Sequence, residues 1–343
     1  MRPNSAPRYG LRVHYRSIPG TELNISSLAL GGWLTLGEGV GDAESARILH
    51  AAIDGGVTFL DLADVYADGG AERVVGRFLQ ETDRNRLVVS SKVFWPMGDG
   101  PSDRGLGRRH IHASIDGTLA RLGIDHLDLY FCHREDPSVP LLETVQAMGD
   151  LVQQGKVRAW GTSCWRPSTL REAHRLAQKL GVAPPRVEQP QYSLLVRGVE
   201  DDLVPVCQQL GMGLVAFSPM GGGVLSGKYL EGVPAGSRAA ESSWLEPFLQ
   251  PAIVESVRAF VAWCQNSQQD PAAVALAWVM SQPGITSAIC GASSEAQIRQ
   301  NLMAADLALD SATKARIDQW FPVGRRALWK RVLGAVLRRG GRA

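Results

Sequence analysis

The chain has 343 residues, 45% of them hydrophobic and 20% charged, with a formal net charge of +2; this fits a globular protein with one sizeable core or two ordinary domains. So small a net charge, with its one basic cluster near the C-terminus, gives no electrostatic case for a nucleic-acid partner, and no stretch approaches the roughly 20 apolar residues of a membrane span. Segment 1–15 lacks the apolar run of a secretory signal, and the scattered, odd set Cys132, Cys164, Cys207, Cys264 and Cys290 favours reduced thiols and a cytoplasmic setting over disulfides or a zinc site.

Along the chain, strand-like apolar runs at 27–30, 58–61, 87–91, 127–131, 157–161, 186–189, 213–217 and 286–289 alternate with amphipathic helical patterns. The helices are expected at 42–54, 71–80, 108–122, 141–154, 167–179, 199–210, 251–269 and 271–281, with a further one at 294–304. Pro167 and Pro271 suit first helical turns. Gly55-Gly56, Gly123, Gly155, Gly181 and Gly211 stand between a helix and the next strand, where a left-handed cap suits glycine. Eight βα units without a Pro/Gly/Ser-rich linker predict a single-domain (β/α)8 TIM barrel with extra C-terminal helices. Two segments lie outside the repeat. The connection 220–250 is glycine-rich at its start and reads as a lid or cofactor clamp. The basic tail 325–342 has helical apolar spacing suited to docking on the barrel or to a partner.

Asp61, Lys92 and His133 fall where predicted strands run out, and Tyr66 lies on the connection leaving the Asp61 strand. In a parallel barrel such ends converge on one mouth. A phenol with a pKa near 10 gives up its proton reluctantly. A neighbouring ammonium stabilises the phenolate, and a carboxylate keeps that ammonium charged. Tyr66 is therefore the natural proton donor if the reaction needs one, with Lys92 and Asp61 tuning it. His133 either adds a hydrogen bond to a substrate oxygen or relays the proton itself. Taken singly, each residue also has a plain structural reading: an ion pair, a half-buried Tyr, a His bonded to backbone. A second constellation, Ile289-Cys290-Gly291-Ala292-Ser293, leads a strand into a helix whose N-terminus suits a phosphate, although such residues also simply cap helices. No Gly-x-Gly-x-x-Gly sits on a first βα turn, and Tyr229 follows Lys228 where a phosphate loop needs Ser or Thr. Trp33, Phe94, Trp95 and Trp165 are candidate walls of a partly apolar pocket.

The order of these residues resembles the aldo-keto reductase superfamily from about residue 15 to 320. The stretch Phe59-Leu60-Asp61-Leu62-Ala63-Asp64-Val65-Tyr66 is similar to its Asp-x-Ala-x-x-Tyr motif. Ser91-Lys92-Val93 and Tyr130-Phe131-Cys132-His133-Arg134 match its Lys and His segments, and 155–163 its fifth-strand block. The resemblance implies an NADPH-dependent reductase, with NADH as the alternative, that passes hydride to an aldehyde or ketone. Asp61, Tyr66, Lys92 and His133 match the catalytic tetrad. Ser163 and Gln189 match carboxamide contacts, with Cys164 beside them where many relatives have Asn or Arg. Phe217 matches the aromatic under the nicotinamide. Ser218, Pro219, Met220, Gly222, Lys228 and Arg238 match pyrophosphate contacts, and Gly291, Ser293, Gln297, Gln300 and Asn301 the adenosine and 2′-phosphate site. Gly32 and Trp33, with Asp61, line the pocket. Ala292 and Gln297 replace the Lys and Arg of strongly NADPH-selective members.

The branch most resembled holds bacterial general reductases and the β subunits of voltage-gated potassium channels. It implies a rival reading, a nicotinamide-binding, redox-sensing partner subunit with little turnover. The channel subunits tend to lack the His, so His133 favours the enzyme. The expected partner is a small carbonyl compound, whose identity and the oligomeric state the sequence leaves open.

Overall fold

The computed structural model describes residues 13–100 and 102–323. In chain order it forms β1 (Tyr15–Ser17), β2 (Asn24–Ser26), β3 (Leu28–Gly31), α1 (Asp42–Asp54), β4 (Phe59–Asp61), α2 (Gly70–Gln80), β5 (Val88–Val93), α3 (Arg108–Leu122), β6 (Leu127–Cys132) and α4 (Leu141–Gln153). There follow β7 (Val157–Ser163), α5 (Pro167–Leu180), β8 (Val187–Gln189), α6 (Leu203–Gln209), β9 (Gly213–Phe217), α7 (Arg238–Glu241), α8 (Pro251–Asn266), α9 (Pro271–Met280), β10 (Ile285–Cys290), α10 (Glu295–Leu302) and α11 (Ser311–Trp320). Eight parallel strands close in the order β10-β3-β4-β5-β6-β7-β8-β9, the (β/α)8 barrel that the alternating pattern predicts.

The strands are buried on both faces, which is why they read as near-continuous apolar runs. Inside the barrel, Phe59, Leu129, Phe131, Val187 and Val215 pack together. A larger apolar layer joins the outward faces of the strands to the helices. The register places Asp61 beside Ser90 and Lys92 beside Phe131, so the polar residues at the ends of β4 and β5 arrive at one height.

The short hairpin β1–β2 was not expected from the sequence, because runs of three residues around Pro19-Gly20 carry little periodicity. Its Ile18, Leu23 and Ile25 join the interior core, while Tyr15 Oη donates to Gly56 O at 2.9 Å and an Arg16 guanidinium nitrogen to Ile285 O at 2.7 Å. Gly56 and Ile285 lie at the amino ends of the barrel strands, so the hairpin stoppers that end.

The helix expected over 199–210 is broken into a 3-10 turn, Gly198–Glu200, and α6. Pro205 has no N–H for the Asp201 carbonyl and its ring would clash there, so α6 can begin no earlier than the turn that holds the proline. The helix expected over 251–269 stops at Asn266, and Gln268 takes a left-handed φ of 54°. The connection 220–250 is a chain of short helical turns, including Gly221–Ser226, α7 and Ser243–Leu249. α11, whose Asp310 side chain caps it by accepting from Thr313 N, was also not expected. The tail 325–342 lies outside the described residues. Among the described residues, no helix is long and apolar enough to cross a membrane, and no group of three His, Cys, Asp or Glu could hold a metal ion.

Candidate functional site

Asp61 is the last residue of β4, Lys92 the penultimate residue of β5, and His133 the first residue after β6; the turn leaving β4 returns Tyr66 toward them. Lys92, fully buried, directs its three ammonium protons at Asp61 Oδ2 (2.7 Å), Leu62 O (2.6 Å) and Tyr66 Oη (3.1 Å). Burial, the largest single influence, pulls this ammonium toward neutrality, but Asp61 and Tyr66 together outweigh it and hold the Lys92 pKa above its ordinary value. The other Asp61 oxygen accepts from Ser90 Oγ and Gln189 Nε2, both at 2.9 Å. A buried carboxylate with this many donors is satisfied without a further partner.

The Tyr66 phenol is raised above its ordinary pKa, by burial first, with Lys92 pulling the other way. It is therefore protonated at neutral pH. The His133 imidazole is held well below its usual range by burial, then by the Lys92 and Arg134 cations, and stays neutral. Its Nδ1 is enclosed with no protein partner among the described residues. The Tyr66 and His133 rings meet edge to face at 5.9 Å, and Trp95 lies against the same imidazole at 6.2 Å.

On the adjoining strands, Ser163 Oγ donates to Gln189 O at 2.9 Å. Together with the bond from Gln189 to Asp61, this ties the ends of β7 and β8 to the carboxylate. Cys164 follows with a φ of 57°, and Ser218, just after β9, has 53°. Both are strained backbones for a residue with a side chain. The Cys164 thiol is raised by burial, with Arg134 opposing, and is not a thiolate. Phe217 ends β9, followed by Pro219 and Met220 on the same turn.

Trp33, just after β3, packs edge to face on Trp244 of the 220–250 connection at 5.7 Å, and the Arg238 guanidinium lies 5.2 Å over the Trp33 ring. The connection thus reaches across the mouth. Gly222 has a left-handed φ of 67°, and a Cβ there would stand 2.5 Å from Leu245, so the turn admits no side chain. Lys228 lies 4.9 Å over the Tyr229 ring. Neither cation has a carboxylate partner among the described residues, which suits both to an anion.

Beyond β10, Gln297 Oε1 accepts from Ser293 N and Ser293 Oγ at 2.8 and 3.0 Å, and Asn301 Nδ2 donates to Gly291 O at 3.3 Å. Gln300 instead donates to Asp270 at 3.0 Å and does not join that cluster. The Gly291 position is open: a Cβ built there comes no nearer than 3.9 Å to any neighbour. At Gly32, on the neighbouring strand end, a Cβ would crowd Leu62 at 2.9 Å.

The sequence missed four participants. Arg134 donates to His133 O at 2.5 Å and lies 5.9 Å over the Trp95 ring. Ser90 holds Asp61, and Trp244 meets Trp33. Glu188, fully buried beneath the β7 turn, accepts from Thr162 Oγ1 and Trp165 N. Arg134 and Glu188 had a signal, since they adjoin His133 and Gln189. Trp244, on an irregular segment, had none.

The carboxyl mouth of this closed parallel barrel gathers a buried Lys–Asp pair, a protonated phenol and a neutral imidazole. The family model described as the Aldo/keto reductase family matches residues 27–321, and the chain belongs to that family of oxidoreductases. It is also similar to a "Probable voltage-gated potassium channel subunit beta" of Oryza sativa subsp. japonica, at 37% identity over 302 residues, covering 86% of this chain and 92% of that protein. A protein of the same description from Arabidopsis thaliana is 37% identical over 303 residues, with the same coverage. A "Putative voltage-gated potassium channel subunit beta" of Schizosaccharomyces pombe (strain 972 / ATCC 24843) is 36% identical over 304 residues, covering 86% of this chain and 88% of that one.

Proposed function

We propose that the protein reduces aldehyde or ketone carbonyls with NADPH, NADH being the alternative donor. The observation that carries this is the Lys92 ammonium, which touches both Asp61 and the Tyr66 phenol. The unpaired Arg238 and Lys228 charges, the Gln297–Ser293 turn and the open Gly291 position support a fit to a dinucleotide. In that reading Ser218, Pro219, Met220, Gly222, Lys228 and Arg238 hold the pyrophosphate. Gly291, Ser293, Gln297 and Asn301 hold the adenosine end, Ser163 and Gln189 with neighbouring Cys164 the carboxamide, and Phe217 the ring. Gln300 is left out of this set because its amide is engaged with Asp270.

The bound reduced nicotinamide supplies hydride to the carbonyl carbon. Tyr66 gives its proton to the carbonyl oxygen, and the phenolate left behind faces the Lys92 ammonium, which lowers the cost of forming it. Asp61 keeps that ammonium charged. His133, neutral and flanked by two cations, is too weakly basic to relay a proton, so its role is a hydrogen bond that orients the oxygen. Trp33, Phe94 and Trp95 frame the pocket; Trp165 is buried and lines a separate cavity with Leu106, Leu141 and Thr144. Removing the acid by Tyr66→Phe should lower carbonyl reduction by about 10²–10⁴-fold while NADPH still quenches tryptophan fluorescence. A variant that keeps full turnover would overturn the assignment.

The names of the relatives favour one second reading, a cofactor-binding partner subunit with slow turnover. Under it the wild-type chain would bind NADPH yet reduce no member of a broad carbonyl panel.

A further inference from the structure

Trp95 lines a cavity of about 690 Å³ between the segments that follow β5 and β6. That volume is within the range of small-molecule sites. Phe94, Trp95 and Pro96 form an apolar wall, and the two aromatic rings meet edge to face at 5.0 Å. Trp95 also lies against His133, so the same ring borders this space and the proposed reaction centre. A molecule with its carbonyl at Tyr66 and its far end over Trp95 would reach it.

The opposite side of the cavity is polar, and its charges are not equivalent. Asp136 accepts from Leu106 N at 2.8 Å and Ser138 N at 3.0 Å, and Glu143 accepts from Arg108 N at 2.8 Å. Both carboxylates are thus occupied by backbone donors of the loops they hold. Arg104 and Arg109, which also line the cavity, are exposed and have no side-chain or backbone acceptor among the described residues. Their neighbour Arg108, by contrast, is paired with Asp150. The unmet hydrogen-bonding capacity of the cavity is therefore two guanidinium groups, each a planar fork that matches an oxyanion, together with the buried His110 Nε2, which has no partner among the described residues.

Resting on the reductase reading above, we infer that this cavity is a specificity subsite that selects carbonyl compounds carrying an oxyanion group, held by Arg104 and Arg109 with the intervening carbon skeleton against Phe94 and Trp95. The shared chemistry is a carboxylate or a phosphate, and the two are separated by the substrates used.

The test compares 4-carboxybenzaldehyde and 4-formylphenyl phosphate with the neutral ester methyl 4-formylbenzoate, using the full chain and NADPH. The wild type should favour at least one of the anions over the ester by about 10-fold or more in kcat/KM, mainly through KM, and the preference should shrink as salt is added. In the double variant Arg104→Gln/Arg109→Gln the ratio should fall to near one. A wild-type ratio near one, or a ratio the double variant keeps, overturns the subsite. If no aldehyde is reduced, the reductase reading fails separately. The subsite is then decided by calorimetric titration of 4-carboxybenzaldehyde and 4-formylphenyl phosphate: saturable binding of either that the double variant loses supports it, and no binding, or binding that the double variant keeps, overturns it.

Discussion

Lys92 has no exposed surface, and each of its ammonium protons is taken by a different oxygen. Charge buried to this degree is held by its partners rather than by water. Lys92→Met would leave the Asp61 carboxylate buried with Ser90 and Gln189 but no counter-charge. The expected loss is about 3–5 kcal/mol, read as a lower urea midpoint. Asp61→Asn introduced into the same chain should recover part of that loss, because it removes the stranded charge. Recovery would mark the pair as coupled; additive losses would contradict the coupling. These residues were legible in the sequence because each apolar run ends on a polar side chain, and strand ends in such a barrel meet. Ser90 was not, because its contribution depends on the reach of a side chain across neighbouring strands, which periodicity does not encode.

Between elements, a close approach near the site occurs at Gly161 in β7. A Cβ there would stand 2.6 Å from Val187 O of β8 and 2.8 Å from the Phe131 ring of β6. One contact is backbone, so the strand itself would have to shift. Gly161→Ala should cost about 1–3 kcal/mol and displace Ser163, two residues on. A melting temperature unchanged from wild type would show that the barrel interior has more slack than this packing implies. The strands and most helices were readable to within a residue or two, since burial on two faces and on one face leaves different periods in sequence. The 220–250 connection was recognised as special, but not how it crosses the mouth. The contact of Trp33 with Trp244 joins positions more than two hundred residues apart, and no local pattern announces it.

At the scale of the whole molecule, two buried carboxyl groups make stability depend on pH. Burial raises Asp64 and Glu188 each to about 7. Asp64 accepts from Val65 N and Ser114 Oγ, and Glu188 holds the β7 turn. An acid whose native pKa is raised is protonated in the folded chain after it has ionised in the unfolded one. Stability is thus highest below the unfolded pKa and falls as pH rises toward about 7, beyond which the loss levels off. For Glu188 alone the span is on the order of 3 kcal/mol. Glu188→Gln, which cannot ionise, should flatten the dependence of melting temperature on pH between about 4.5 and 7; a curve as steep as wild type would assign the effect elsewhere.

The β1–β2 hairpin gives the barrel a floor. With Ile18, Leu23 and Ile25 seated among the interior side chains, the amino end is closed, and the reacting groups at the carboxyl mouth are reached only from the side that the 220–250 connection partly bridges. Traffic through one doorway has an order. Whatever binds deepest and widest must enter first and leave last, so a dinucleotide lying across the entrance would outstay many smaller molecules that come and go above it.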